Sequence, residues 1–310
     1  MPFVIDKADS AACSLGDCAA ALDALPFDPA DAESLDHAAT WLRRLGNNKD
    51  FLGDVLVKAL ADRHREEPAQ GYGPQVIMLT TPGSSSFLRC AMWPGAGEDA
   101  VAKSGGDSFA YGLPHDHNFS FLTHGYFGPG YWSEFFEYDY DGVTGWAGEA
   151  AGLRPMGRHR LQPERIMLYR AHVDVHLQLP ADALSVSLNV MHAVPAIRWL
   201  DQYTFDVEKG TIAQNIDCGP SETFLRLAVG LGREEALDLA ERVARSHPSD
   251  RFRVTAWDAL AAREFDPTAR DRVWATAERS GSRMVAMEAR ARRAELALAS
   301  AGTEDAAVHG

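Results

Sequence analysis

The sequence has no apolar stretch approaching the ~18–20 residues that a membrane-crossing helix requires, so a membrane span is not expected. It also lacks an excess of positive charge. Its 30 Lys and Arg stand against 44 Asp and Glu, giving a formal charge of −14 and a pI near 5.2. Phosphate binding needs a basic face, so nucleic acid is not an expected partner. Cysteine is scarce, with Cys13, Cys18, Cys90 and Cys218 and no CxxC pair. This fits free thiols in a reducing compartment. The first residues have no basic segment followed by an apolar one. No secretory signal is expected, and the expected location is cytoplasmic.

What remains is an ordinary globular composition, 46% apolar and 24% charged over 310 residues. That length accommodates two compact units, or one core with extensions. The histidines are unevenly placed. Seven of the eleven fall between His115 and His192, which is reason to look for a metal site.

Three textures follow one another along the chain. Residues 1–73 read as a loose lead-in of about thirty residues and then a helical pair. Leu35, Ala38, Ala39, Leu42 and Leu45 recur at helical spacing, as do Phe51, Leu52, Val55, Leu56, Ala59 and Leu60. Gly46 is expected to end the first helix in the left-handed conformation. Residues 74–218 read as short strands and tight turns. Expected strands are Val76–Leu79, Phe87–Trp93, Phe109–Phe127, Tyr131–Tyr140, Arg158–Leu161, Ile166–Leu179, Leu184–Met191 and Arg198–Val207. Such a series without intervening helices predicts an antiparallel sandwich or barrel. Residues 219–310 read as amphipathic helices. The last is expected from Pro267 to about Ser300 with a kink or break at Gly281, and the final residues are expected to be disordered.

His115-Asp116-His117 is the most chemical feature. Residues two apart in a strand share a face, so both imidazoles can converge on one ion. The same face continues as Phe119 and Phe121. Two imidazoles against an apolar wall need partners for their nitrogens, and a divalent metal supplies one.

The surrounding residues carry a family resemblance. Leu88–Gly95 ends in Trp93-Pro94-Gly95, and after an insert at 96–112 the chain reads Pro114-His115-Asp116-His117 and then an apolar run to Gly125. This order resembles the first metal motif of the cupin superfamily, in the variant found in cysteine dioxygenase-type enzymes. The segment Leu161–Tyr169 is similar to the lead-in of the second motif. The family places its third histidine seven residues beyond the aromatic, and from Tyr169 that position is His176. His172 is the competing third ligand. The resemblance spans about residues 75–207. It implies a mainly β cupin-type barrel, a double-stranded β-helix, flanked by N-terminal and C-terminal helical extensions.

Three departures qualify the resemblance. The glutamate that usually follows the second histidine is absent, since Phe121 and Leu122 stand there, and this suits a three-histidine site. Met191 stands where animal cysteine dioxygenases carry a tyrosine on the last strand. No cysteine stands where that tyrosine's partner would be, which argues against cysteine itself as substrate.

Three neutral imidazoles at His115, His117 and His176 leave a bound ion its full 2+ charge and open positions. Fe(II) suits such ligands and such openness, although another divalent metal is possible. The resemblance therefore implies a non-haem Fe(II)-dependent oxygenase acting on a small molecule and O2. The alternatives are a metal-dependent lyase, hydrolase or isomerase, and a non-enzymatic sensor or scaffold. Candidate substrate-handling residues are Arg89 and Arg170 as carboxylate clamps, Glu134 as a proton acceptor and Asn189 as a hydrogen-bond partner. His124 is expected on the opposite strand face from His117. The long helical stripe predicts a homodimer with that region at its interface.

Overall fold

A computed structural model of the chain describes residues 3–62, 75–80, 86–217 and 219–308. Cys218, residues 63–73 of the expected N-terminal region and the Ser84-Ser85 that precede the second expected strand lie outside them. The chain divides into two compact units. The first comprises residues 1–140, 151–197 and 204–210, and the second residues 141–150, 198–203 and 211–310.

The first unit begins with β1 (Phe3–Ile5), α1 (Leu15–Ala24), α2 (Ala32–Asn47) and α3 (Phe51–Asp62). The expected loose lead-in is thus partly ordered, and a local signal explains why. Ser14 caps α1 and Asp17 reaches back to the Ser14 backbone, a reciprocal capping box. Asp31 caps α2, and the Asn48 side chain accepts from the Asp50 and Phe51 amides where α3 begins. Gly46 does not end its helix in the left-handed conformation. It lies inside α2, and its missing side chain serves a close approach described below.

The strands then follow: β2 (Val76–Met78), β3 (Ser86–Trp93), the short helix α4 (Asp99–Ser104), β4 (Phe121–Phe127), β5 (Tyr131–Glu137), β6 (Arg154–Leu161), β7 (Ile166–Tyr169), β8 (Asp174–Gln178), β9 (Ser185–His192) and β10 (Tyr203–Asp206). One antiparallel sheet has the order β1-β7-β4-β9-β3-β2, and a second has the order β6-β5-β8. Of the expected mainly β barrel with helical extensions, the antiparallel strands and the flanking helices are present; the strands lie in separate antiparallel sheets and the chain is mixed α and β, with nine α-helices among the described residues. Near Gly112-Leu113-Pro114 only isolated bridges form, and Pro114 has no amide to propagate a ladder.

The period of two in the strands divides the six-stranded sheet into two differently buried faces. Leu88, Cys90, Leu122, Ile166, Leu168, Leu188 and Val190 pack against Cys18, Leu22, Ala38, Leu42 and Leu45 of the covering helices. Phe87, Phe121, Met167, Tyr169 and Met191 point the other way and share a core with Tyr131, Phe135 and Leu161 of the three-stranded sheet.

The second unit holds β11 (Thr211–Asn215), α5 (Pro220–Gly230), α6 (Glu234–Ser246), α7 (Asp250–Ala261), α8 (Pro267–Glu278) and α9 (Arg283–Val308). Ala240, Ala244, Ala256, Ala277 and Ala289 are fully buried, so small side chains sit where the helices meet, around Trp257 and Trp274. The expected long final helix is broken at Gly281, whose φ of +86° is easy only for glycine. The break resets the helical phase. Val285 and Ala289 face the core, whereas Leu298 is 75% exposed. Helix continues to Val308, beyond the expected end at Ser300.

Candidate metal centre

His115-Asp116-His117 is not part of a ladder. The segment is extended, and His115 makes single antiparallel bridges to His176 and to Thr204. The His115 amide donates to the His176 carbonyl at 3.1 Å, and the His176 amide returns a bond to His115 at 2.9 Å. Two further tethers set the height of the segment. The His172 amide donates to the His117 carbonyl, and the Phe205 amide donates to the Pro114 carbonyl. Alternation then sends His115 and His117 inward and Asp116 to the other side. There the buried Asp116 carboxylate accepts a 2.6 Å bond from the Tyr138 hydroxyl.

The expected single strand Ile166–Leu179 is broken. A turn at residues 170–173 separates β7 from β8 and puts them in different sheets. Arg170 shapes that turn by clasping the buried Asp174 through its guanidinium and its own amide, and it also pairs with Glu137 at 2.6 Å. Arg170 is thus engaged with two carboxylates of the chain. His172 sits in the turn with φ +59°, its ring 4.0 Å from that of Tyr140. Beyond the turn, β8 pairs with β5 in the register Phe135↔His176, which directs His176 inward.

The result is a convergence of three imidazoles. The His176 Nε2 lies 3.2 Å from the Nε2 atoms of both His115 and His117. One ligand atom from each of the three lies within 4.8 Å of the others, and the group includes neither His172 nor a carboxylate. Nδ1 of His115 meets the Leu113 carbonyl at 2.8 Å, which fixes a tautomer whose Nε2 carries the lone pair. Burial holds all three imidazoles below the usual histidine range, and in His117 and His176 well below it. Neighbouring imidazoles add to this, as does the Arg89 guanidinium in the case of His117. Neutral imidazole is the form that ligates a metal. Neutral imidazole nitrogens this close need a cation or a shared proton between them, so the donor set fits a divalent ion.

An aromatic wall surrounds the group. Phe119 and Phe121 lie 4.9 and 5.0 Å from the His117 ring, Tyr169 lies 5.1 Å from His176, and Phe135 stacks on His176. Next to this wall, one row across the six-stranded sheet brings together Arg89, Asn189 and Thr123, through the registers Arg89↔Asn189 and Thr123↔Asn189. Arg89 lies over the Phe119 and Phe121 rings. Arg89 and Asn189 therefore share the inward face with the aromatic wall. Glu134 is not brought there. It shares parity with Phe136 on the outer face of β5, since Ser133 and Phe135 take the inner one. His124 faces the helices, away from the three histidines.

Sequence reasoning missed the Asp116–Tyr138 and Arg170–Asp174 pairs. The second joins residues four apart, a spacing that reads as a helical pair rather than a turn, and the first joins residues 22 apart and had no signal.

No model of a known protein family matches the sequence, and no curated protein matches it either. Solved structures similar to part of this chain include a DMSP lyase at 12% identity, covering 42% of this chain and 52% of that one, with a TM-score of 0.26. A salicylate 1,2-dioxygenase from Pseudaminobacter salicylatoxidans is 13% identical over 50% of this chain and 37% of its own, with a TM-score of 0.29. A cupin-like protein from Thermotoga maritima is 9% identical over 46% of this chain and 95% of its own, with a TM-score of 0.25.

Proposed function

We propose that the chain is a metal-dependent enzyme of cupin type, and more specifically a non-haem Fe(II) oxygenase that uses O2 on a small anionic molecule. The supporting observation is the set of three neutral imidazoles, His115 and His176 buried and His117 half-buried, with the His176 Nε2 3.2 Å from the Nε2 of each of the other two. With no carboxylate in the set, a bound ion keeps its full charge and its remaining positions. Fe(II) in such a site supplies activation of O2.

The rest of the reading concerns this chain's own groups. His115, His117 and His176 are the ligands, with the Leu113 carbonyl orienting His115. Phe119, Phe121, Phe135 and Tyr169 exclude water from the open side. Burial keeps the Tyr131 and Tyr169 hydroxyls protonated, so they act as neutral hydrogen-bond donors. Arg89 and Asn189 bind the anionic group of the substrate, Arg89 by charge and Asn189 by its amide. Glu134 has no part in this reading because it lies on the outer face of its strand. The working unit is proposed to be a homodimer.

Anaerobic loading with Fe(II) followed by nitric oxide tests this reading. A strong electron paramagnetic signal from the iron nitrosyl, and O2 uptake with small carboxylates, is the expected result. Stoichiometric zinc with no nitrosyl signal after iron loading favours a lyase, hydrolase or isomerase. No binding of any divalent metal leaves the sensor or scaffold. Sedimentation of the full chain at micromolar concentration tests the dimer, and a monomer overturns it.

A further inference from the structure

The metal centre leaves one reactive pair unused, in the helices that cover the outer face of the six-stranded sheet. Cys13 and Cys18 straddle the start of α1. Ser14 is the N-cap, so Cys13 is the residue before the cap and Cys18 is the fourth residue of the helix. These are the two positions whose side chains meet across a helix start, usually as an apolar staple. Here the staple is made of two thiols. Both sulfurs converge on the Trp41 carbonyl oxygen, Cys13 at 3.9 Å and Cys18 at 3.6 Å, which places the two thiols side by side.

The surroundings of the two thiols differ. Cys18 is fully buried in the core under the six-stranded sheet. Cys13 is half-buried and lines an open groove with Asp17, Ala20, Trp41 and Arg44. A small oxidant reaches Cys13 first.

We propose that Cys13 and Cys18 form a reversible intramolecular disulfide in which Cys13 is the attacking thiol and Cys18 the resolving thiol, with a hydroperoxide as the oxidant. The Cys13 thiolate attacks the peroxide and breaks its O–O bond. This gives a sulfenic acid at Cys13 and releases an alcohol or, from hydrogen peroxide, water. The Cys18 sulfur then bonds to the Cys13 sulfur and expels the hydroxyl, which leaves as water with the Cys18 proton. In total two thiols and one hydroperoxide give one disulfide, one alcohol (or water) and one water. The division of labour agrees with the electrostatics. The neighbouring Cys18 thiol lowers the Cys13 thiol below the usual range, whereas the Cys13 thiol and burial raise Cys18. A loop this short gains the least from restraining the unfolded chain, so the bond serves reactivity rather than stability.

The test uses the full chain with reduced thiols. After hydrogen peroxide, remaining thiols are alkylated under denaturing conditions and peptides are weighed. The expected result is a peptide containing Cys13 and Cys18 that is lighter by two hydrogens, restored by dithiothreitol, while Cys90 is alkylated in full. Under native conditions iodoacetamide should modify Cys13 about tenfold or more faster than Cys90, whose buried thiol is pushed up to about 12. In Cys18→Ser, Cys13 should pass to the sulfinic acid, which dithiothreitol does not reverse. The proposal is overturned if wild-type Cys13 oxidises to the sulfinic acid while Cys18 stays alkylatable, or if the disulfide joins two chains on a non-reducing gel.

Discussion

The two faces of the six-stranded sheet each bury histidine, and they treat it differently. On the side of the sheet's inner face, His115 and His117 of the extended segment and His176 of the three-stranded sheet bring three Nε2 atoms together. On the outer face His124 is 0% exposed, and neither of its ring nitrogens has a hydrogen-bond partner. It is pressed against α2, where a side chain on Gly46 would stand 2.3 Å from the imidazole Cε1. Burial and unsatisfied nitrogens are therefore common to both faces and do not by themselves mark a metal centre. Convergence does, because one ion satisfies several lone pairs at once, whereas a lone imidazole bears its desolvation unaided. His124 is a packing residue that holds the helices to the sheet.

The largest expected effect tests the inner face. His115→Ala, His117→Ala and His176→Ala should each lower affinity for Fe(II) or Co(II) at least about a hundredfold, since two imidazoles make a weak site. His124→Leu and His172→Ala should retain full occupancy by metal analysis. Loss of metal in His172→Ala with retention in His176→Ala would reverse the assignment of the third ligand.

Acid separates the faces next. Burial, helped by Arg43 and Lys49, pushes His124 down to about 3 from 6.5. The unfolded chain takes up this proton below pH 6.5 and the folded chain does not until near pH 3. The stability that depends on neutral His124 is thus present above pH 6.5 and is lost as pH falls from there toward 3. The slope is up to about 1.4 kcal/mol per pH unit. Urea unfolding of metal-free protein at pH 7 and pH 4.5 should show a shallower fall in His124→Leu than in wild type.

The contact between Gly46 and His124 sharpens the same point. Glycine to alanine inside a helix ordinarily gains up to about 1 kcal/mol. Here the added methyl meets a buried ring with nowhere to move, so Gly46→Ala should destabilise by about 1–3 kcal/mol. In a His124→Ala background the sign should reverse. Equal effects in both backgrounds would show that the ring is not the obstacle. The smallest effect concerns the rim of the helical layer. Ser14→Ala removes the α1 cap and should cost about 1 kcal/mol, with metal affinity unchanged.

Much of this was legible in the sequence. His115, His117 and Phe121 share a face because alternation along an extended chain is local. The offset from Tyr169 to His176 was legible through resemblance. Helices α2 and α3 follow from apolar spacing, and the capping box at Ser14 was present to be read. What failed was everything that depends on residues far apart in the chain. Glu134 was a candidate proton acceptor, but which side of β5 is inside depends on the sheet that packs there. The turn at Arg170–Val173 divides an apparently continuous strand because Asp174 and Glu137 clasp Arg170. Gly46 reads as a helix stop until a ring from a strand nearly eighty residues away is found against it. Period, caps and charge spacing act through neighbours in sequence, so the chain carries them openly. Which face is covered, and by what, is decided only when distant segments compete for the same space.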